Sequence, residues 1–435
     1  MPQPMFKIVA LMALWIAVIG SAGGREAPMP ITVDSPDALE SAVAKARPGA
    51  VIVLADGTYD QAVTLAGKGT AESPVVVRAQ RVGGVKLKNT LTITGNHLAV
   101  IGFSFTDEGS VRIQGDGHRL SRCHIDNAVG RHWVHILAGS RQIEVDHCRF
   151  ENKEINRASG RGGVVLKADV LNRKEQHHFH HNHFRNIPKG KGSNGYETVQ
   201  VITKGNPFDP DSLPNAGDCE TVIERNLFER CNGEAEIISN KANGNRIRGN
   251  TFVACRGSVV LRHGHRNIAE GNVFMGGDEK GSGGVRLQGR DQIVADNYFR
   301  GLGNWAVAMM DGTPDQLYVR VERAKILRNT IVDCGVGLSI GQNHSKHPNG
   351  TVPKDCLIEN NLIVNPGNVA VQYVRGDVPE GWTWTGNVVK GAIGIPEMAG
   401  LVPGDPHLPP EEVPLSENDV GPLAGLEGEG DDDSL

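Results

Sequence analysis

TVIERNLFERCNGEAEIISNKANGNRIRGNTFVACRGSVVLRHGHRNIAEGNVF, residues 221–274, repeats a short phrase. NLF at 226, NTF at 250 and NVF at 272 each follow a polar turn and open a short apolar run. Outward from this stretch the phrase recurs as NHF at 182, NYF at 297, NTI at 329, NLI at 361 and NVV at 387, while CHI at 123 and CRF at 148 put cysteine in the same slot. From Asn226 onward the intervals are 24, 22, 25, 32, 32 and 26 residues, the range of a solenoid repeat. The interval of 44 from Asn182 to Asn226 holds either a doubled turn or a long insertion.

Each period offers short β-branched runs separated by Gly, Asn and Asp, with no room for helices. Such units stack as a parallel β-helix. The asparagines then occupy inward turns and bond their counterparts above and below, and the Phe, Ile or Val two places on fills the core. With 55 glycines and 5% aromatic residues, the composition agrees with a turn-rich all-β chain.

Before the repeats, SPDALESAVAKA reads as one amphipathic helix over about 36–47. Ser35 or Asp37 caps it, Leu39, Ala42, Val43 and Ala46 line one side, and Pro48-Gly49 ends it before a strand at Val51–Leu54. A helix laid over the open end of a β-stack would shield unpaired strand edges. Residues 1–24, with Lys7, an apolar run from Ile8 to Ile19 and small residues after it, read as a cleavable export signal, which makes the protein periplasmic or secreted, with no membrane association after signal removal. The β-helix is expected over 25–402 and an acidic disordered tail over 403–435. Long loops at 151–163, 203–219, 341–355 and around 390–415 are expected to wall a groove.

A net charge of −5 argues against a broad nucleic-acid surface and leaves room for a local basic groove. The seven cysteines form no CxxC pair and read as buried thiols, with Cys231 and Cys255 placed where an exported protein could oxidise them. HHFHHNHF at 177–184 matches no standard zinc spacing and reads as an exposed turn.

Chemistry concentrates between Asn232 and His265. Glu234 and Glu236 are two apart, which on a strand puts both carboxylates on one solvent-facing side; Lys241 follows at what reads as a turn, and Arg262 lies 21 residues further on. A 24-residue offset sets Ile238 under Arg262, which brings Glu236 and Arg262 to within roughly 8–9 Å on one face. Asn194, in the coil before, can add an amide oxygen. Two carboxylates and an amide form an oxygen-only set suited to Ca²⁺, although the same residues also read as solvated charges or partners of Lys241. Arg286, one coil beyond Arg262, is a candidate contact for an anionic ligand.

NGYE at 194–197, EAEIISNKANGN at 234–245 and LRHG at 261–264, with the fixed lysine-to-arginine spacing, resemble polysaccharide lyase family 6, the alginate lyase and chondroitinase B family, over about residues 30–400. The resemblance implies a single-stranded right-handed parallel β-helix with Ca²⁺ at the site. It further implies Asn194, Glu234 and Glu236 as calcium ligands, Lys241 as base and Arg262 as acid, with His263 and His265 flanking the acid in the groove. The interval from Asn194 to Glu234 is longer than the family pattern because NPFDPDSLP (206–214) is inserted.

The function that the resemblance implies is that of a lyase cleaving alginate by β-elimination to unsaturated uronate oligosaccharides, acting as a monomer on an anionic polysaccharide. Dermatan sulfate is the alternative substrate, and a non-catalytic carbohydrate-binding β-helix the alternative function. Elimination removes the proton on carbon 5 beside a carboxylate and expels the oxygen on carbon 4. A neutral lysine can take that proton, and a cation on the carboxylate stabilises the intermediate. An arginine, which rarely gives up a proton, is better suited to stabilising the leaving oxygen while water or a histidine supplies the proton.

Overall fold

A computed structural model describes residues 29–153, 163–190, 194–204, 217–315, 317–342, 350–374, 380–396 and 399–425. The export signal expected over 1–24 and the insertion at 206–214 fall outside the described residues.

Among the described residues 39 strands form one sheet of 14 and one of 25, and each strand pairs in parallel with the equivalent strand one coil away. The larger sheet is two ladders that meet in the long strand Leu362–Tyr373, so the coil has three faces. The first runs through Glu144–Asp146, His178–His180 and Val222–Glu224. The second carries the strands that follow the repeated asparagines, such as Leu227–Cys231 and Thr251–Val253. The third runs through Val199–Thr203, Glu236–Lys241, Gly257–Leu261 and Ser282–Leu287. This is the all-β parallel β-helix that the repeat predicts.

The repeated asparagine turns the corner between the first and second faces. The residue just before it is in the left-handed region in every coil, as at Arg225, Gly249, Gly271, Asp296 and Arg328 (φ 51°, 59°, 60°, 56° and 52°). A left-handed corner strains every residue but glycine, and the asparagine ladder offsets that strain with hydrogen bonds. The Asn226 backbone N–H donates to Asn250 Oδ1 at 3.0 Å, Asn250 to Asn272 at 3.0 Å and Asn272 to Asn297 at 3.0 Å, and the side-chain amides repeat the same links. The cysteines fill the slot as expected: Cys123 N donates to Cys148 Sγ at 3.4 Å, and Cys148 N to Asn182 Oδ1 at 2.9 Å. Asn182 N reaches Asn226 Oδ1 directly at 3.0 Å, so the 44-residue interval is a single coil with an insertion and not a doubled turn.

Two places on, Phe150, Phe184, Phe228, Phe252, Phe274 and Phe299 stack with ring centroids 5.1, 4.8, 4.7, 4.6 and 4.8 Å apart. These distances match the spacing of adjacent strands, about 4.7–4.9 Å, so one ring per coil fills the core without a gap. All seven cysteines are buried free thiols.

The helix spans Pro36–Lys45, and the Ser35 hydroxyl accepts the Ala38 N–H at 3.4 Å. Its buried Leu39 and Val43 join the core, and Glu40 accepts the backbone N–H of Thr64 from the outermost strand of the third face.

The C-terminal expectation needs correction. Residues 404–425 are no free tail but a strap that runs back along the outside of the stack. Leu408 packs on Val273, Tyr298 and Val332, and Glu411 pairs with Arg300. Leu415 N donates to Thr251 Oγ1 at 3.0 Å, and Glu417 meets Arg149 and Arg185 at 3.1 and 3.0 Å. Arg122 donates to the carbonyls of Pro422 and Ala424. Composition misleads here because the acidic residues neutralise arginines on successive coils. Residues 426–435 lie outside the described residues.

Candidate active site

On the third face the coils stack out of phase with the asparagine corner. Cys231 and Cys255 lie 24 residues apart on equivalent coils, yet Glu236 pairs with Ser258, Ile238 with Val259 and Ser239 with Val260. The segment Asn232–Ala235 therefore uses two extra residues before rejoining the sheet, and the bulge between Glu236 and Ile238 adds a third. A bulge re-aims side chains. Glu236 and Ser239, which plain alternation would put on opposite faces, point the same way, and Ser239 Oγ donates to Glu236 Oε2 at 2.5 Å. The same shift brings Lys241 level with Arg262, whose backbone N–H donates to Asn240 O at 2.9 Å.

Three sequence expectations change accordingly. Glu234 and Glu236 are buried instead of solvent-facing, at 8% and 6% exposure. Lys241 ends the strand Glu236–Lys241 and is equally buried, not at an exposed turn. Arg262 Nη1 stands 3.1 Å from Glu236 Oε1, in direct contact and not one sugar ring away.

Glu236 is the hub. Its Oε1 also takes Arg286 Nη2 at 2.6 Å, and its Oε2 lies 4.0 Å from Lys241 Nζ. Burial alone would raise its pKa, but Arg262, Arg286 and Lys241 outweigh that and hold it below the ordinary range. Arg286, expected one coil beyond Arg262 as a ligand contact, is thus also a partner of Glu236 in the centre.

Glu197 is the residue that sequence reasoning missed. It is the last letter of NGYE, and it places a carboxylate where the amide of Asn194 was expected. Its Oε1 accepts from Gln200 Nε2 at 2.6 Å and faces Lys241 Nζ at 3.4 Å. Asn194 is exposed, three residues earlier in the loop. Gly233 lets the next coil close on this loop: its Cα lies so near Tyr196 that a Cβ would stand 2.1 Å from the Tyr196 carbonyl oxygen. That approach sets Glu234 beside Glu197.

Glu197, Glu234 and Glu236 present oxygens within 4.8 Å of one another. Three carboxylates this close cannot all stay charged unaided. Burial, then Glu197 and Glu236, push the Glu234 carboxyl up to about 9. Glu197 Oε2 and Glu234 Oε1 are buried with no hydrogen-bond partner. Orphaned acceptors in an all-oxygen cluster fit a hard divalent cation.

His263 packs at 5.2 Å against Tyr318, the rings tilted by 34°, and the Tyr318 ring also lies 5.8 Å from the Arg262 guanidinium carbon. His265 is not brought to the groove. It is 2% exposed, its Nδ1 accepts the Arg290 N–H at 2.9 Å, and burial followed by Arg290 and Arg266 holds its imidazole neutral, down to about 4. It serves the inner turn of the coil. Upstream on the same face, Arg112, His135, Lys167 and Gln200 stack in one row that leads to Ser239. Asp169 is shared there by His135, Lys167 and Lys204 at 2.9, 2.6 and 3.2 Å. A basic row therefore approaches the acidic centre, and no local sequence motif announces it.

Residues 33–394, which hold the whole of this centre, match the family model of chondroitinase B. The chain belongs to polysaccharide lyase family 6. The family 6 alginate lyase AlyGC is 30% identical with a TM-score of 0.75; the match covers 93% of this chain and 58% of AlyGC, so this chain spans little more than half of that relative. A mannuronic acid specific family 6 lyase from human gut microbiota shares the fold at 24% identity, TM-score 0.70, with 90% and 96% of the two chains covered. So does a family 6 lyase from Pseudopedobacter saltans, at 21% and TM-score 0.68, covering 90% and 98%. A comparison with curated proteins finds no match.

Proposed function

We propose that this family 6 chain is a polysaccharide lyase that cleaves alginate by calcium-assisted β-elimination. The observation that carries the proposal is the contact of one lysine and two arginines with a three-carboxylate cluster, at the end of a basic row on one face of the stack. A non-catalytic binding protein needs basic groups for an anionic polymer but no buried lysine poised beside a cation site.

Glu197, Glu234 and Glu236 would hold the cation, Ca²⁺ by the hardness and number of their oxygens. When bound, it would supply positive charge that neutralises the substrate carboxylate. Lys241 Nζ accepts the carbon-5 proton. The electron pair left behind forms the carbon 4–carbon 5 double bond as the bond from carbon 4 to the glycosidic oxygen breaks. Arg262, level with Lys241 one coil on, stabilises that oxygen, and water protonates it. Arg286 and Arg262 keep Glu236 ionised throughout. The row from Arg112 to Lys167 binds further sugar carboxylates along the polymer.

Alginate is favoured over dermatan sulfate by the likeness to AlyGC across 93% of this chain. The test is incubation with alginate, its two homopolymers and dermatan sulfate, followed by the ultraviolet absorbance of the unsaturated product. Product from dermatan sulfate alone would transfer the reading to the second substrate, and no product from any would leave only binding. Residues 1–24 support export to the periplasm or medium, which the amino terminus of the exported protein tests. A monomer suffices, since one chain supplies every group named; sedimentation tests that.

A further inference from the structure

The segment HHFHHNHF does not form an exposed turn. It spans the strand His178–His180 on the first face, a corner, and the strand His183–Ile187 on the second. In the first-face ladder Glu144 pairs with His178 and Asp146 with His180, while Val145 and Phe179 between them are fully buried. Alternation therefore turns Glu144, Asp146, His178 and His180 outward together, away from the lyase face.

The side chains then converge. His180 Nε2 lies 2.9 Å from Glu144 Oε1, and the rings of His178 and His180 stand 4.0 Å apart. One ligating atom from each of Glu144, His178 and His180 falls within 4.8 Å of the other two. His178 Nε2 is held at 2.7 Å by Glu224 Oε1 from the next coil, and Glu224 is fixed in turn by Arg248. The cluster is reachable from solvent: the side chain of Glu144 is 36% exposed, that of His178 22% and that of His180 10%.

We propose that Glu144, His178 and His180 form a second metal site, specific for a transition-metal dication such as Zn²⁺, that clamps two coils of the first face. Two imidazoles and one carboxylate are a borderline-soft donor set, which suits Zn²⁺ and is poor for Ca²⁺. Glu224 orients the His178 ring from outside the donor set, as carboxylates commonly do for metal-bound histidines. The cluster shares no residue with the carboxylates that hold calcium in the proposed lyase site, so each site can be loaded alone.

The test uses the full chain, stripped of metal and then saturated with Ca²⁺. Zn²⁺ titrated against a chromophoric competitor should bind with one equivalent. Co²⁺ in its place should give the intense visible bands of a four- or five-coordinate site, where a six-coordinate oxygen site gives weak ones. The double variant His178→Gln/His180→Gln should lose that equivalent, and Glu224→Gln should weaken it roughly 10–100-fold. Thermal unfolding with and without Zn²⁺ should show a higher midpoint with metal for the parent chain and no shift for the double variant. Absence of stoichiometric Zn²⁺ binding in the Ca²⁺-loaded parent, or an unchanged affinity in Glu224→Gln, would overturn the site. Should the double variant fail to fold, the Co²⁺ spectrum of the parent and the Glu224→Gln titration decide.

Discussion

Replacing Lys241 by Met keeps the aliphatic stem and removes only the ammonium, so it separates the base from the packing. The lysine is buried and faces Glu197 at 3.4 Å and Glu236 at 4.0 Å, so its loss acts on stability as well as on rate. Removing one partner of a buried ion pair costs about 3–5 kcal/mol when nothing else compensates the other. Here Glu236 retains Arg262 and Arg286, and Glu197 retains Gln200, so the expected loss is nearer 1–3 kcal/mol. That loss should appear in chelator and largely vanish in excess Ca²⁺, because the cation neutralises the same carboxylates. Turnover in saturating Ca²⁺ should fall roughly 10²–10⁴-fold, since no cation replaces a positioned base. Thermal unfolding of parent and variant in both buffers, with the ultraviolet assay alongside, measures both effects. Lys241→Arg should restore the stability but not the rate, because a guanidinium stays protonated. If Lys241→Arg kept most of the elimination rate, the lysine would serve as a positioning charge and His263 would become the better base.

Exhaustive chelation should abolish activity, and Ca²⁺ should restore it better than Mg²⁺, which demands tighter octahedral geometry; full activity in chelator would remove the cation from the mechanism. Asn250→Ala strands the Asn226 N–H and removes the amide donor to the Ile223 carbonyl, while the Asn272 side-chain oxygen keeps the backbone N–H of residue 250; it should cost about 2–4 kcal/mol in denaturant unfolding, against under 1 kcal/mol for an exposed substitution such as Lys86→Ala. Lys153 is buried over Trp133, and desolvation lowers its pKa from 10.5 to about 7. Its folded value lies below its free value, so the stability deficit is complete below pH 7 and is relieved as pH rises towards 10. Lys153→Met should therefore stabilise the fold by on the order of 1–3 kcal/mol at pH 7, with the gain shrinking by pH 10 in thermal melts. Removing residues 405–435 should lower the melting midpoint by uncovering Val273, Tyr298 and Val332 while turnover at low temperature changes less than about threefold; loss of activity without loss of stability would place the strap in the catalytic machinery.

The fold was legible because its signal is redundant. One position per coil must supply both an acceptor and donors at a left-handed corner, and asparagine does so at Asn226, Asn250, Asn272 and Asn297 with little freedom to vary. The phenylalanine two places on is equally constrained by a ring spacing that must match the strand spacing. Even the two cysteines at 123 and 148 announce themselves, because a small buried side chain with a polarisable acceptor is a tolerable substitute. The strap at 404–425 was not legible, since an acidic, proline-rich segment has no periodicity and its partners Arg149, Arg185 and Arg300 lie more than a hundred residues away.

The site was legible in its residues and not in its register. Counting from the asparagine corner assumes that every face of a coil uses the same number of residues, whereas Asn232–Ala235 adds two between Cys231 and the third face and the bulge adds a third. That excess carries Glu234 out to meet Glu197, and the bulge after Glu236 turns both that carboxylate and Lys241 toward Arg262. Regular alternation at these positions would leave Glu236 and Ser239 on opposite faces and the lysine one step out of line with the arginine. The departure from the repeat is therefore what assembles the centre. Inserting one glycine between Ser239 and Asn240 should leave the asparagine ladder intact by backbone amide exchange while carrying Lys241 one step out of line with Arg262 and abolishing turnover. Retained turnover in that insertion would mean that the reaction does not depend on the alignment of lysine and arginine.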